Sequence, residues 1–163
     1  MTQVYVGIGS NINREESIRG GLEALCEKFG ELTLSGIYES EAYGFDGDNF
    51  YNLVAGFQSD LPVTGLNAAL KGIEIDLGRE QHGKKFLPRT LDIDLLLYGN
   101  LVRHDKNIDV PREDIEQYAF VLKPLADIAG DLRHPETNKT FAEMWSAFDK
   151  QDQAIWPASM SVE

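Results

Sequence analysis

Apolar residues recur along this chain at two spacings, and the switches between them lay out the elements. Residues 4 to 8, VYVGI, form an apolar run that predicts a first strand, broken by Gly9, Ser10 and Asn11. Asn13 stands where a helix cap belongs. Ile18, Leu22, Leu25, Cys26 and Phe29 follow as a one-sided helical stripe. Gly20 and Gly21 weaken that helix, so its packing must compensate, and Gly30 ends it. Leu32 to Glu39 reads as a second strand of imperfect alternation. Residues 40 to 49, SEAYGFDGDN, read as a loop, and Phe50 to Phe57, rich in aromatic and β-branched residues, as a third strand.

Asp60-Leu61-Pro62 then opens a second long helix, whose stripe is Leu66, Ala69, Leu70, Ile73 and Leu77 and whose stop is Gly78. Thr90 to Tyr98 is a fourth strand and the most apolar segment of the chain. Gly99-Asn100 is a turn, Leu101 to Val110 holds short irregular strands, and Pro111 precedes a helix containing Phe120, Val121, Leu122, Leu125 and Ile128. A short helix over Thr140 to Phe148 precedes a tail, from about Lys150, with few core signals. Strand, helix, strand, strand, helix, strand is the order of a split β-α-β unit. The expectation is an α/β (α+β) fold: a ferredoxin-like, mostly antiparallel sheet covered by helices on one face, with a C-terminal extension covering something more. No repeat or linker divides residues 1–163, which are read as one catalytic domain.

Composition narrows the function classes. Hydrophobic residues make up 42% of the 163, which argues for a folded globule, and no apolar run is long enough to cross a bilayer. The N-terminus shows nothing like a secretory signal. The one cysteine, Cys26, cannot form an internal disulfide, and its place on an apolar helix face expects a core residue. A reducing cytoplasm is the simplest location. The net charge of −12 argues against a broad nucleic-acid surface. Within that acidic chain Arg79, Lys84, Lys85 and Arg89 cluster against one acidic residue, Glu80, a local island of +3 that reads as an anion site.

The island adjoins Pro88-Arg89-Thr90-Leu91-Asp92-Ile93-Asp94-Leu95-Leu96-Leu97-Tyr98. Residues two apart on a strand point the same way, so Asp92 and Asp94 share a face roughly 6 to 7 Å apart along the backbone. Leu91, Ile93, Leu95 and Leu97 are expected on the core face, and Leu96 and Tyr98 on the aspartate side. Two carboxylates beside apolar groups repel each other and lose hydration, so they call for a cation. Mg²⁺ suits them, since it takes carboxylate, water and phosphate oxygens. The guanidiniums of Arg79 and Arg89 can grip phosphate oxygens bidentately, while Lys84 and Lys85 add mobile charge. The sum is an outline of phosphoryl or diphosphoryl transfer by positioning and charge neutralisation.

Other signals are weaker. Gly7-Ile8-Gly9-Ser10-Asn11 echoes a dinucleotide fingerprint but lacks its third glycine, and no P-loop sequence occurs. His82, His104 and His134 are not at metal-ligand spacing; the last two are expected to be structural or exposed. Aromatic residues default to core filling. A flat heteroaromatic ligand would instead want two rings and an amide at its edge, and parity puts Phe50, rather than Tyr51, beside Asn52.

These residues resemble the 6-hydroxymethyl-7,8-dihydropterin pyrophosphokinase family, also called 2-amino-4-hydroxy-6-hydroxymethyldihydropteridine diphosphokinases. The resemblance rests on Gly7-Ile8-Gly9-Ser10-Asn11, Phe50-Tyr51-Asn52, Leu77-Gly78-Arg79, Val110-Pro111, Ala119-Phe120-Val121-Leu122-Lys123-Pro124-Leu125, and above all residues 88–99, PRTLDIDLLLYG. It spans about residues 3 to 130 and implies a ferredoxin-like sandwich. The implied reaction moves the β,γ-diphosphate of ATP to the hydroxymethyl oxygen of a dihydropterin and releases AMP, with two Mg²⁺ ions on Asp92 and Asp94. Arg79 and Arg89 match loop arginines, and Arg89 would steady the moving diphosphate. Phe50 and Phe120 match the rings that stack on the pterin, and Asn52 the residue that reads its edge. Ser40, Ala42 and Tyr43 match the segment that wraps it, and Phe86 the loop aromatic that seals the site.

Three positions depart from the family pattern. Arg112 stands where a histidine usually helps hold the nucleotide, Tyr118 lies at or near an arginine position, and Gln81 replaces a second loop arginine. Arg112 or Lys85 is expected to compensate in nucleotide binding, alongside Lys84. A monomer acting on ATP and a pterin, without nucleic acid or membrane, is the leading expectation. A pterin-binding paralogue with weak or altered transfer, and a noncatalytic nucleotide-sensing module on the same scaffold, remain open.

Overall fold

The computed structural model describes residues 1–41, 49–82, 91–150 and 153–160, with the side chains of 79–82 outside the description. The first strand, β1 (Thr2–Ser10), is longer than its apolar run. Gly9 and Ser10 remain in register with β4 (Phe50–Ser59), pairing with Asn52 and Tyr51. α1 (Arg14–Phe29) follows, with Asn13 at its N-cap in the left-handed region and Gly30 at its end.

The expected second strand is in two pieces, β2 (Thr33–Leu34) and β3 (Tyr38–Ser40), both antiparallel to β4. Between them Ser35 bonds to Val54 twice: its N–H donates to the Val54 carbonyl at 2.9 Å and its Oγ accepts the Val54 N–H at 2.8 Å. A hydroxyl taking the place of a backbone carbonyl interrupts the ladder there.

α2 (Val63–His82) runs past Gly78, so Arg79 and Gln81 belong to its last turn rather than to a loop. One glycine costs a helix about 1 kcal/mol, too little to stop one anchored by buried Leu66, Leu70 and Leu77. β5 (Asp92–Tyr98) then lies on the outer side of β1, giving, with β8 (Ile155–Pro157) at the far edge, the order β5-β1-β4-β3-β8 with every pairing antiparallel. That is the ferredoxin-like arrangement read from the element order.

Helices cover both faces of this sheet. Val4, Val6, Ile8, Leu53, Ile93 and Leu95 pack with Ile18 and Leu25 of α1 and with Leu66 and Leu70 of α2. On the opposite face Tyr5, Val54, Leu96 and Leu97 pack with Val121, Leu122 and Leu125 of α4 (Ala119–Ala129) and Phe141 of α5 (Phe141–Ala147). The C-terminal extension therefore supplies the second layer.

Three further expectations are corrected. Register shifts between Tyr5 and Val6, which pair with Leu97 and Leu95, leaving Leu96 as the extra residue. This bulge reverses parity beyond it, so Leu97 turns to the α4 face and Tyr98 packs on the α1–α2 side. Cys26 is exposed, because it sits at the outer margin of the α1 stripe. The tail also carries structure: β8 (Ile155–Pro157) pairs with β3 as an edge strand, and Met160 is buried against the first core.

The region after β5 holds a two-stranded sheet, β6 (Arg103–His104) with β7 (Asp109–Val110), then α3 (Asp114–Gln117). His104 lies between Asp109 (2.5 Å) and Glu136 (2.8 Å), and hydrogen bonds to these carboxylates hold its pKa above the ordinary histidine value. His134 is buried, which lowers its pKa, and its Nδ1 accepts the backbone N–H groups of Glu136 and Thr137.

Gly56 tests this packing. A Cβ there would lie 2.8 Å and 3.1 Å from two carbons of the buried Tyr5 ring, which has little freedom to withdraw. Gly56→Ala is expected to destabilise the fold by about 1–3 kcal/mol, read as a lower denaturant midpoint.

Candidate functional site

The site is laid out by sheet register. Gly9 pairs with Asp92 on one side and Asn52 on the other, and Gly7 pairs likewise with Asp94 and Val54. Neighbouring strands lie about 4.8 Å apart, so two steps across β1 separate the aspartates from Asn52 by about 10 Å. The two glycines leave the floor between them flat. A Cβ at Gly9 would come within 3.1 Å of Asn52 Oδ1, and one at Gly7 within 3.5 Å of Leu96.

The floor belongs to a cavity of about 330 Å³, walled by Ser40 at the end of β3 and Glu41 after it, Phe50 and Asn52 of β4, Asp92 and Asp94 of β5, and Asp114, Tyr118 and Phe120 from the α3–α4 region. Asn52 and Ser40 are both buried, and Asn52 Nδ2 donates to Ser40 Oγ at 2.9 Å. That bond fixes the amide's orientation. Tyr51 takes the other face, where the Arg14 guanidinium lies 4.1 Å from its ring centre.

Across the cavity Tyr118 and Phe120 stack at 5.0 Å with 20° between their planes. Tyr118 is extended between α3 and α4, which interrupts the helix and leaves backbone groups needing partners. Gln153 of the tail supplies two: its Oε1 accepts the Ala119 N–H and its Nε2 donates to the Gln117 carbonyl, each at 2.8 Å. The tail thus braces the segment that carries both rings.

The aspartate end is electrostatically arranged from outside the strand. β5 is an edge strand, and Glu74 of α2, buried, accepts the Ile93 N–H at 2.6 Å. Lys71, one turn earlier, places its Nζ 3.4 Å from Glu74, 3.4 Å from the Ile93 carbonyl and 3.6 Å from Asp94. Arg112 approaches Asp94 to 4.0 Å and pairs with Asp114 at 3.1 Å. Burial opposes its charge, but Asp94 and Asp114 outweigh that and raise its pKa. Lys71 and Arg112 also line a second cleft of about 200 Å³ with Asn67, Leu95 and Asn107 to Asp109. Asp94 of the first cavity is thus flanked by two cations, Lys71 and Arg112, that line the second.

Among the described residues no group of three His, Cys, Asp or Glu side chains is disposed to hold a metal. A pair of strand carboxylates still fits Mg²⁺, which completes its shell with water and substrate phosphates. Both aspartates are partly exposed to the cavity, and their donor atoms are hard oxygens.

Of the residues singled out from sequence, Ser40, Phe50, Asn52, Asp92, Asp94 and Phe120 line one cavity, and Arg112 reaches it through Asp94. Arg79 is placed by its backbone alone in α2, while Ala42, Tyr43, Lys84, Lys85, Phe86 and Arg89 lie outside the described residues. Lys71, Glu74, Asp114 and Gln153 were missed. Glu74 had a signal: it lies four residues after Leu70 and three before Leu77, a carboxylate inside an apolar stripe.

Residues 5–130 match the family model described as 7,8-dihydro-6-hydroxymethylpterin-pyrophosphokinase (HPPK). A 2-amino-4-hydroxy-6-hydroxymethyldihydropteridine pyrophosphokinase of Pseudomonas aeruginosa is 39% identical over 139 residues, covering 82% of this chain and 85% of that protein. The folic acid synthesis protein fol1 of Pneumocystis carinii is 37% identical over 150 residues, which cover 90% of this chain but 20% of the relative. A crystal structure of HPPK-DHPS in complex with substrates superposes with a TM-score of 0.69 at 12% identity, over 90% of this chain and 42% of that one, and so speaks to fold. The chain thus spans a fifth of the Pneumocystis protein and under half of the HPPK-DHPS chain. By its family match and by its identity to the Pseudomonas protein, it belongs to the 7,8-dihydro-6-hydroxymethylpterin-pyrophosphokinase family.

Proposed function

We propose that the chain transfers the diphosphate of ATP to the hydroxymethyl oxygen of 6-hydroxymethyl-7,8-dihydropterin and releases AMP. The observation that carries this reading is the single cavity in which an oriented amide, stacked aromatic rings and two strand carboxylates share one sheet face. A flat pterin would lie against Phe120 and Phe50 with its polar edge on Asn52 and Ser40. Its hydroxymethyl arm would then reach across Gly9 toward Asp92 and Asp94. The nucleotide would enter from the second cleft, beside Lys71 and Arg112.

In the transfer the hydroxymethyl oxygen bonds to the β-phosphorus, the bond from that phosphorus to the α,β-bridging oxygen breaks, and AMP leaves with that oxygen as the hydroxyl proton is lost. Asp92 and Asp94 would hold Mg²⁺, which supplies charge neutralisation on the phosphate oxygens. The protein's part is placement. Asn52, tied to Ser40, fixes the pterin in its plane, the rings exclude water from one side, and Lys71 and Arg112 counter phosphate charge. Arg79, in the last turn of α2, and Lys84, Lys85, Phe86 and Arg89 belong to the same reading as further contributors. A monomer in the cytoplasm suits a chain with one cysteine and strong net negative charge.

Calorimetric titration tests this division of labour. The dihydropterin should bind with or without Mg²⁺, whereas a nonhydrolysable ATP analogue should bind with Mg²⁺ and lose most of its affinity in chelator. Metal-independent binding of the analogue would argue against the carboxylate pair as the metal seat.

A further inference from the structure

Lys71 occupies an unusual place for a helix lysine. Its stem crosses the edge of the sheet, and its ammonium stands among three acceptors, Glu74, the Ile93 carbonyl and Asp94, at 3.4, 3.4 and 3.6 Å. None of these contacts is short. Glu74 is meanwhile held by a much shorter bond, 2.6 Å, from the Ile93 N–H. The lysine side chain is 40% exposed and lines the second cleft together with Arg112. A flexible four-carbon stem with three rotatable donors can leave such a position at small cost.

Asp94 lines the first cavity and Lys71 the second, 3.6 Å apart, so the ammonium stands beside the carboxylate that a cation would claim. We propose that Lys71 couples metal binding to nucleotide binding: its ammonium neutralises Asp94 in the nucleotide-free protein and passes to the nucleotide's phosphates once the cation takes the carboxylates. This rests on the proposed function, with Asp92 and Asp94 as the metal seat and the second cleft as the nucleotide's entry.

The charge count supports the exchange. A free divalent ion approaching Asp94 meets Lys71 and Arg112, two positive groups within 4.0 Å, and is disfavoured. An ion arriving with a polyphosphate brings a new anion for those same groups. Arg112 has a second carboxylate, Asp114, at 3.1 Å to retain it, whereas Lys71 is not held at hydrogen-bonding length by either of its carboxylates. Lys71 is therefore the group of the two that is free to change partners. The residue also adds positive charge beside a site where Tyr118 brings none, a compensation that the sequence assigned to Arg112 or Lys85.

The test compares wild type with Lys71→Met, which keeps the apolar stem, and Lys71→Arg, which keeps the charge. Mn²⁺ binding is read by electron paramagnetic resonance without nucleotide, and binding of a nonhydrolysable ATP analogue is read by calorimetry with Mg²⁺. Lys71→Met should bind Mn²⁺ alone about two- to fivefold more tightly and the analogue about tenfold more weakly. Lys71→Arg should restore both values toward wild type. Opposite movement of the two affinities is the signature, because a structural defect would weaken both. Unchanged Mn²⁺ affinity, or a parallel fall in both, overturns the coupling while leaving the proposed function standing. Failure of wild type itself to bind the analogue with Mg²⁺ would overturn both.

Discussion

Asp92→Asn and Asp94→Asn are each expected to lower turnover by about a thousandfold or more, with dihydropterin affinity staying within about threefold of wild type. The asymmetry follows from the register. The aspartates stand two strands from Asn52, at the far end of the cavity from the amide proposed to orient the pterin. An asparagine keeps the shape and removes the charge that a divalent ion requires. The two variants should differ in one respect. Asp94→Asn also deprives Lys71 and Arg112 of a carboxylate, so a metal-free anion such as pyrophosphate should bind it more tightly than it binds Asp92→Asn. Steady-state kinetics and pterin titration check both statements, and turnover preserved in both variants would remove the carboxylates from the mechanism.

Phe120→Ala has the opposite profile. It is expected to weaken pterin binding by about ten- to a hundredfold, since stacking on an aromatic ring is worth about 1–3 kcal/mol. Nucleotide affinity should change little. Phe120 is half-buried and faces the cavity, stacked on Tyr118, so its loss takes away a binding surface without emptying a core position. Thermal unfolding should move by a few degrees at most. Equal losses for pterin and ATP analogue would mean that the ring supports the fold of the α3–α4 segment instead of touching the ligand.

Legibility in the sequence followed the range of the physics involved. Local periodicity was enough for α1, α2, β1, β4 and β5, because each buries one face and its spacing says so. Parity alone put Asp92 with Asp94 and Phe50 with Asn52, since the bulge lies beyond both aspartates, whereas the register through β1 was needed to bring the two pairs to one cavity. It could not be foreseen within Leu95-Leu96-Leu97, where every residue is apolar and no side chain marks the extra position. The pairing of Ile155–Pro157 with β3 was hidden for a different reason: three residues, one a proline, give no alternation, and their partner lies more than a hundred positions away. Lys71 and Gln153 act across elements, on the far edge of β5 and on the α3–α4 junction, so nothing in their own surroundings announces them. Cys26 shows the limit of stripe reading, as spacing defines an arc but leaves its margins undecided.

The most direct test of the central claim is the mass of the products formed from Mg²⁺, ATP and 6-hydroxymethyl-7,8-dihydropterin. AMP and the pterin diphosphate in equal amounts are predicted, with neither formed in chelator. ADP with a pterin monophosphate, or both substrates recovered intact, would contradict it.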